Sequence, residues 1–578
     1  MAASAGRADG GRIRRGTSVG LVRFVPGLTI FLFLGPIAAG LVWTVLPAFG
    51  FLPALGGTTL SLDPWRAIFD YPGTAAAAAR SLATGLSAAV LSAILVAGFV
   101  AVSHHTSWFR RFRAVLAPLL SVPHAALAIG LAFLLTPSGW IQRLLSPWAT
   151  GFERPPDVMI APDPYGWGLV AALVIKETPF LFLMTLGALG QVDHDRSLAV
   201  ARSLGYRPAA AWLKAVLPQI YRQLRLPIFA VIAFSVSVVD VALIMTATPT
   251  PTLSILILRW AHDPDLTQQF LAAAGAVLQM AVAGGAIAIW ILLERIAAAV
   301  GLQWVRGGAR RLPQVATWSF WSGMTLAVTA GIAGLLGLAI WSVAKRWRFP
   351  DALPGSWDFG GWADRTATVA EPAATTLILG LAATAIAIAL VLGCLESEQR
   401  RGQRPSDRVL LILYAPLILP QVSFLFGAQV LLVTVGLDGH WAGLIWAHLL
   451  FVLPYVFLSL SEPYRALDPR YARTATCLGL SPGRVFLRVR LPMLLRPILI
   501  AAAVGFAVSI GEYLPTVFAG AGRLTTLTTE AVALAGGGDR RTIGTYAVLQ
   551  AALPLAGFLL AAGIPVLWMR FKFRGAAK

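Results

Sequence analysis

Twelve apolar stretches divide this chain, and each is long enough to cross a bilayer. A hydrocarbon core about 30 Å thick takes about 20 helical residues. The stretches fall at residues 25–48, 76–102, 114–136, 165–190, 227–247, 269–298, 318–343, 372–395, 409–435, 441–461, 497–519 and 543–569. Lipid offers backbone N–H and C=O groups no partner, so such segments must close their hydrogen bonds internally as helices. The expected fold class is therefore an all-α polytopic membrane protein. Composition agrees. Of 578 residues, 57% are hydrophobic and 12% are charged, against about 25% charged in soluble domains. Too few charges remain to coat the several soluble domains that a chain of this length would form. A cytosolic enzyme, a disordered chain and a nucleic-acid-binding domain are excluded.

The net charge of +20 can signal nucleic acid, but here the cations sit in short segments between apolar runs. With the N-terminus inside, the internal segments hold about three times as many Lys and Arg as the external ones. A multi-pass inner-membrane protein with both termini in the cytoplasm is expected. Arg12, Arg14 and Arg15 precede the first stretch as they would a signal peptide. Its apolar run exceeds an h-region of about 7–15 residues, so it reads as an uncleaved span. The two cysteines, Cys394 and Cys477, lie in different segments with no spacing for a disulfide or a zinc site.

The chain repeats itself, at an offset near 274 residues over the later part of each half and near 298 in the earlier part. Ala117-Pro118-Leu119 recurs as Ala415-Pro416-Leu417, each followed by a further proline, Pro123 and Pro420. Phe234, Ser237 and Asp240 recur as Phe506, Ser509 and Glu512, and Ala276-Val277-Leu278-Gln279 as Ala547-Val548-Leu549-Gln550. Six spans per half is an even number, so the halves are parallel repeats about an axis along the membrane normal. The organisation reads as a cytoplasmic tail (1–24), a first module (25–300), a basic cytoplasmic linker (301–317), a second module (318–570) and a short tail (571–578). Paired bundles place a pathway at their interface and rock against each other to open it.

The most informative segment lies between the fourth and fifth spans of each half, at 196–218 and 470–492. Gly205 is followed three residues later by Pro208 and thirteen later by Pro218; Gly479 is followed at the same distances by Pro482 and Pro492. Small residues (Ala199, Ala201, Ala475) allow close approach of a short helix. The glycines suit a left-handed helix end. Pro208 and Pro482 suit the first turn of a following helix. Leu217-Pro218 and Leu491-Pro492 are expected to stop that helix before the next span. The product is an Arg-studded helix–turn–helix elbow. One copy would be an ordinary basic loop; two copies with the same spacing between corresponding spans are not.

These elbows resemble the coupling motif of binding-protein-dependent ABC importer permeases, E-A-A-x-x-x-G followed by a distal L-P. The fused layout is similar to that of the ferric-iron and thiamine importer permeases. Ala201, Gly205, Leu217 and Pro218 match the motif, as do Ala475, Gly479, Leu491 and Pro492; the Glu position is held by Ala199 and Arg473. The resemblance implies a type I importer permease of two six-helix repeats. Each elbow would dock in a cleft of an ATP-binding cassette ATPase dimer. An extracytoplasmic solute-binding protein would deliver the cargo. Any salt bridge made by the family's Glu would be absent or reversed here.

The chain itself has no phosphate-cradling loop. Its five lysines are Lys176, Lys214, Lys345, Lys572 and Lys578, and none follows a glycine. ATP and Mg²⁺ are thus expected on a separate subunit, with no cofactor, metal or catalytic residue in this chain. Inside the spans, Asp240 and Glu512 read as lying at matching depths. A carboxylate near the bilayer centre costs about 2.5–3.5 kcal/mol on insertion scales, so these two line the pathway or serve as buried bonds within the bundle. Ser237, Ser509, His124 and Gln421 are further pathway candidates. Lys176 and Glu177 are expected to form intra-bundle ion pairs with different partners, and His448 to be a satisfied core histidine. The external segments at 256–260 and 527–534 read as short amphipathic helices over the outer mouth. Two other classes fit the sequence less well. A secondary transporter of six plus six spans usually carries its signature loop between spans two and three, and the segment 107–113 lacks the acidic and glycine residues of that loop. A membrane-embedded enzyme needs a polar catalytic cluster, and neither a nucleophile elbow nor an HExxH motif is present.

Overall fold

The computed structural model describes residues 21–157, 161–402 and 413–575. Most of the tail at 1–24, including Arg12, Arg14 and Arg15, lies outside the described residues. So do the beginning of the ninth stretch (409–412) and residues 576–578.

Among the described residues, ten helices are long and apolar enough to cross a membrane, eleven if the bent pair Pro482–Met493 and Leu495–Gly511 is one span. The shorter apolar helix Gln421–Thr434 stands where the ninth span was expected. Spans 1, 2, 4, 6, 7, 8, 10 and 12 are the helices Val25–Ala48, Thr74–Ser103, Trp167–Leu189, Gln268–Arg306, Gln314–Val343, Gly361–Arg401, Trp441–Arg465 and Arg540–Gly575. The other four are broken. Span 3 is not continuous over 114–136: Ser107–Ser121 is a separate helix, and His124–Leu135 restarts after Pro123. The residue before a proline is pushed out of the helical region, so Val122 turns extended. Gln421–Thr434 restarts in the same way after Pro420. Spans 5 and 11 break at Val238 and at Glu512, and the short helices Asp240–Met245 and Leu514–Gly520 follow.

The packing interlaces the two sequence halves. Span 1 packs on span 6 of its own half and also lies along Gln421–Thr434 of the other, while span 7 packs on span 12 and lies along His124–Leu135. Both crossings use paired glycines. A Cβ on Gly427 would collide with the Gly40 carbonyl, and one on Gly40 with the Phe424 carbonyl; a Cβ on Gly130 would reach 2.7 Å from the Gly334 carbonyl. Helices in lipid associate through close packing rather than hydrophobic exclusion, and missing side chains permit it. Bonds follow the contact: Gly427 N–H donates to Thr44 Oγ1 at 3.1 Å, and Trp446 Nε1–H to Leu32 O at 3.0 Å. One core accordingly joins Phe33 and Ile37 to Phe424, Phe451 and Val456. Another joins Leu127 and Phe133 to Trp341, Ile543 and Tyr546.

Outside the bundle, strands Ala344–Arg346 and Ser356–Trp357 pair antiparallel. Arg143, from the first half, donates to Arg348 O at 2.6 Å and lies 5.1 Å from the Trp347 ring centre. Asp358 closes the same region: Gly361 N–H donates to it at 2.8 Å, and Arg541 pairs with its other oxygen. The Gly361 N–H and the Arg541 guanidinium hold this carboxyl below the usual carboxylate range.

Candidate coupling and translocation sites

The two elbows are built alike. The first helix is His194–Ser203 in one and Pro469–Cys477 in the other. Asp193 and Asp468 cap them, accepting from Arg196 N–H at 3.2 Å and Arg470 N–H at 2.8 Å. Gly205 and Gly479 both take φ of +83°, the left-handed value a residue with a Cβ resists. Tyr206 N–H then reaches back to Ala201 O, and Leu480 N–H to Ala475 O, each at 3.1 Å. Pro208 and Pro482 open the next helix. Ala201 and Ala475 are buried under these turns, whereas Ala199 and Arg473 face outward. The substituted Glu position therefore bears on what docks there, not on the elbow's own fold. Leu204 and Leu478, just before the glycines, are 60% and 78% exposed.

The L-P pairs act differently from the expected helix stop. A π-helical turn, Trp212–Val216 or Phe486–Arg490, precedes each pair. The wider turn accommodates a proline that lacks its N–H. In the first half the helix runs on through Pro218 to Ser237. In the second it bends by 75° at Leu494, just beyond Pro492.

The elbows are anchored by different devices. Linker residues clasp the first. Lys214 Nζ donates to Trp304 O at 3.0 Å and Ala309 O at 2.7 Å, and Arg207 N–H donates to Arg310 O at 3.0 Å. The second hangs on Glu396, a buried carboxylate at the end of span 8. It accepts from Arg400 Nε at 2.7 Å and is also bonded by Tyr464 and Arg490. Four groups from three elements satisfy one another there, which is what makes a buried charge tolerable. Neither anchor is legible in the sequence: the glutamates and arginines of 396–401 have no spacing that names their partners.

The second site lies where the halves meet. Asp240 opens the short helix beyond the span 5 break, whereas Glu512 stands at the break of span 11 itself. The elbow glycines differ by 274 and the breaks, Val238 and Glu512, also by 274, so the structural equivalent of Asp240 is Leu514. Asp240 and Glu512 are therefore not symmetry mates. Gln421 Nε2 donates to Glu512 Oε2 at 3.4 Å. His124 stacks on Phe234, 4.6 Å between ring centres, with its Nε2 3.4 Å from Glu177. Lys176 does not form the expected ion pair: it donates to the carbonyls of Leu120 and Val122, which the break before Pro123 frees. Ser237 and Ser509 turn into their own bundles. Ser237 Oγ–H donates to Ala233 O at 2.7 Å, and Ser509 bonds His448 Nδ1 at 2.9 Å. His448 is fully buried, its other nitrogen 2.9 Å from Thr516 Oγ1.

The breaks are stabilised symmetrically. Ser254 Oγ–H donates to Val238 O at 2.8 Å and Gln279 Nε2 to Val236 O at 3.2 Å. In the second half Thr528 donates to Ile510 O and is itself held by Gln550 at 2.7 Å. Ser254 and Thr528 belong to the helices Leu253–Ala261 and Leu527–Ala535. Leu253–Ala261 is largely buried and Leu527–Ala535 less so, and both tie off the broken spans.

The comparisons with known proteins coincide with this architecture. Residues 385–569 match the family described as binding-protein-dependent transport system inner membrane component. Over 513 residues, 87% of this chain and 90% of the relative, the sequence is 34% identical to the inner membrane ABC transporter permease protein YnjC of Escherichia coli strain K12. The chain belongs to the inner-membrane permeases of ABC importers. Shorter matches agree with a fused permease. The molybdenum transport system permease protein ModB of Mycobacterium tuberculosis is 30% identical over 28% of this chain and 63% of its own length. The putrescine transport system permease protein PotI of Escherichia coli strain K12 is 31% identical over 27% and 58%. This permease is thus a multi-pass inner-membrane protein and the transport subunit of an ABC importer, and its relatives are transporters rather than enzymes.

Proposed function

We propose that this permease receives a small solute from an extracytoplasmic solute-binding protein and releases it in the cytoplasm, where both termini lie. A separate ATP-binding cassette dimer, carrying the ATP and Mg²⁺, drives it, with one protomer on each elbow. The observation that carries this reading is the pair of elbows: equal glycine angles, equal proline placement and one exposed leucine at the same place in each. An exposed apolar side chain on a rigid turn is what a partner's cleft takes up. Interlaced spans 1 and 7 would then carry each elbow's motion into the opposite half. Asp240, Glu512, His124 and Gln421 are the pathway residues in this reading.

The test is Gly205→Arg and Gly479→Arg in the full permease. Each costs about 1–3 kcal/mol in backbone strain and puts a long cation on the docking face. Membrane levels stay normal while ATPase co-purification and uptake are lost. Undiminished uptake in both variants would remove the elbows from the mechanism.

A further inference from the structure

The two elbows share a shape but not their surroundings. A Cβ on Gly479 would have nothing within 4 Å, whereas one on Gly205 would lie 3.1 Å from Arg310 Nη1. Arg310 belongs to the linker between the halves, so a linker side chain lies over the first elbow's turn, beside the exposed Leu204. The linker is held there by its backbone. Arg207 N–H donates to Arg310 O at 3.0 Å, and Lys214 Nζ to Ala309 O at 2.7 Å and Trp304 O at 3.0 Å. These bonds occupy carbonyls and leave the guanidinium groups free. Arg310 and Arg311 are exposed, and among the described residues neither has an acidic partner. The acids of this elbow, Asp193 and Asp195, stand at the far end of the helix His194–Ser203. An unpaired surface arginine is by itself only a solvated cation. These two differ because the backbone that carries them is docked on the very turn through which the elbow meets its partner.

Anionic lipid is the other surface that attracts a basic segment next to a span, and the length of span 6 argues against it. Charge resumes along that helix at Glu294, which accepts from Tyr221 Oη–H at 2.6 Å and pairs with Arg225 at 3.1 Å. The helix then continues to Arg306, about 18 Å further at about 1.5 Å per residue. A headgroup layer is only about 5–8 Å deep on each side, so the linker stands beyond it, level with the elbow it clasps. We propose, resting on the docking of the elbows proposed above, that Arg310 and Arg311 join the first elbow in one composite docking face for an ATPase protomer, and that this face fits an acidic patch beside the protomer's cleft. Charges at the rim of an interface act on encounter and on salt dependence more than on the buried contact. A dimer of identical protomers is thus held more firmly at the first elbow than at the second.

The full-length permease, with Cys394→Ser and Cys477→Ser, carries a single cysteine at Leu204→Cys or Leu478→Cys, labelled with maleimide-benzophenone. It is reconstituted with its ATPase in phosphatidylcholine nanodiscs, and the photo-adduct with the ATPase is measured at each tip as sodium chloride rises from about 0.05 M to about 0.5 M. The ratio of the first-tip adduct to the second-tip adduct falls as salt rises. Arg310→Gln with Arg311→Gln lowers that ratio roughly threefold to tenfold at low salt, the range that one or two exposed ion pairs supply, and makes it insensitive to salt. Arg310→Lys with Arg311→Lys keeps most of the ratio and its salt dependence. An unchanged ratio in the Gln pair, an equal loss at both tips, or a raised ratio, which would mean that the linker covers the turn, would each overturn the proposal. So would an effect that appears only when phosphatidylglycerol is added, which would assign the arginines to lipid. Absence of any adduct at either tip of the otherwise unaltered permease would instead strike the docking of the elbows itself.

Discussion

The ammonium of Lys214 lies 4.3 Å from the ring centre of Trp304, joining the first elbow to the helix that ends in the linker between the halves. Among the described residues the second elbow has no such clasp and leans on Glu396 instead. Elbows of the same shape thus differ in what steadies them.

Trp304→Leu removes a cation–π contact worth about 0.5–2 kcal/mol. Amide exchange should accelerate over residues 196–207 and stay unchanged over 470–481. Equal acceleration in both elbows would mean that the clasp is not local.

The glycine crossings give a second expectation. Gly427→Leu drives a side chain into the Gly40 backbone, which cannot retreat without moving span 1. Overpacking of this kind costs about 1–3 kcal/mol or more, so the thermal midpoint and membrane level should drop. Gly187→Leu, a helical position with nothing within 4 Å, should be silent. Similar losses at both positions would argue against the interlaced packing.

Asp358 supplies a pH dependence. Its folded pKa is lowered, by the Gly361 N–H first and the Arg541 guanidinium with it. A depressed carboxyl stabilises the fold above its unfolded pKa, about 3.9, and loses that contribution as pH falls through the folded value. The midpoint of Asp358→Asn should therefore lie below wild type at neutral pH, with the gap closing below about pH 4. A gap that does not change with pH would assign the effect to packing alone.

Much of this molecule was legible in its sequence, for reasons that are local. Span positions follow from apolar run length, and the Gly205 and Gly479 turns from a conformation only glycine adopts readily. Pro123 and Pro420 start helices inside stretches that read as continuous spans; the break at Val238 has no proline or glycine beside it, whereas the one at Glu512 follows Gly511 and precedes Pro515. Both breaks are tied off by Ser254, Gln279, Thr528 and Gln550 from other helices. The Asp240–Glu512 pairing by sequence was two residues out of structural register because a Phe/Ser/acid match can be shifted without penalty in a short motif. The glycine pairs Gly40/Gly427 and Gly130/Gly334 were invisible for a similar reason: each half of the contact is an ordinary glycine until the other is known. The stop assigned to Leu217-Pro218 failed because a π-turn absorbs the proline.

In the proposed function each elbow seats one protomer of a nucleotide-driven motor. Leu204→Cys and Leu478→Cys place a thiol on each exposed tip for disulfide cross-linking in membranes that carry the ATPase, with Cys477→Ser and Cys394→Ser as background. An adduct with the ATPase subunit is expected from either tip, its yield changing when ATP is added. Uptake that continues on a proton or sodium gradient without nucleotide, and without an adduct from either tip, would contradict it.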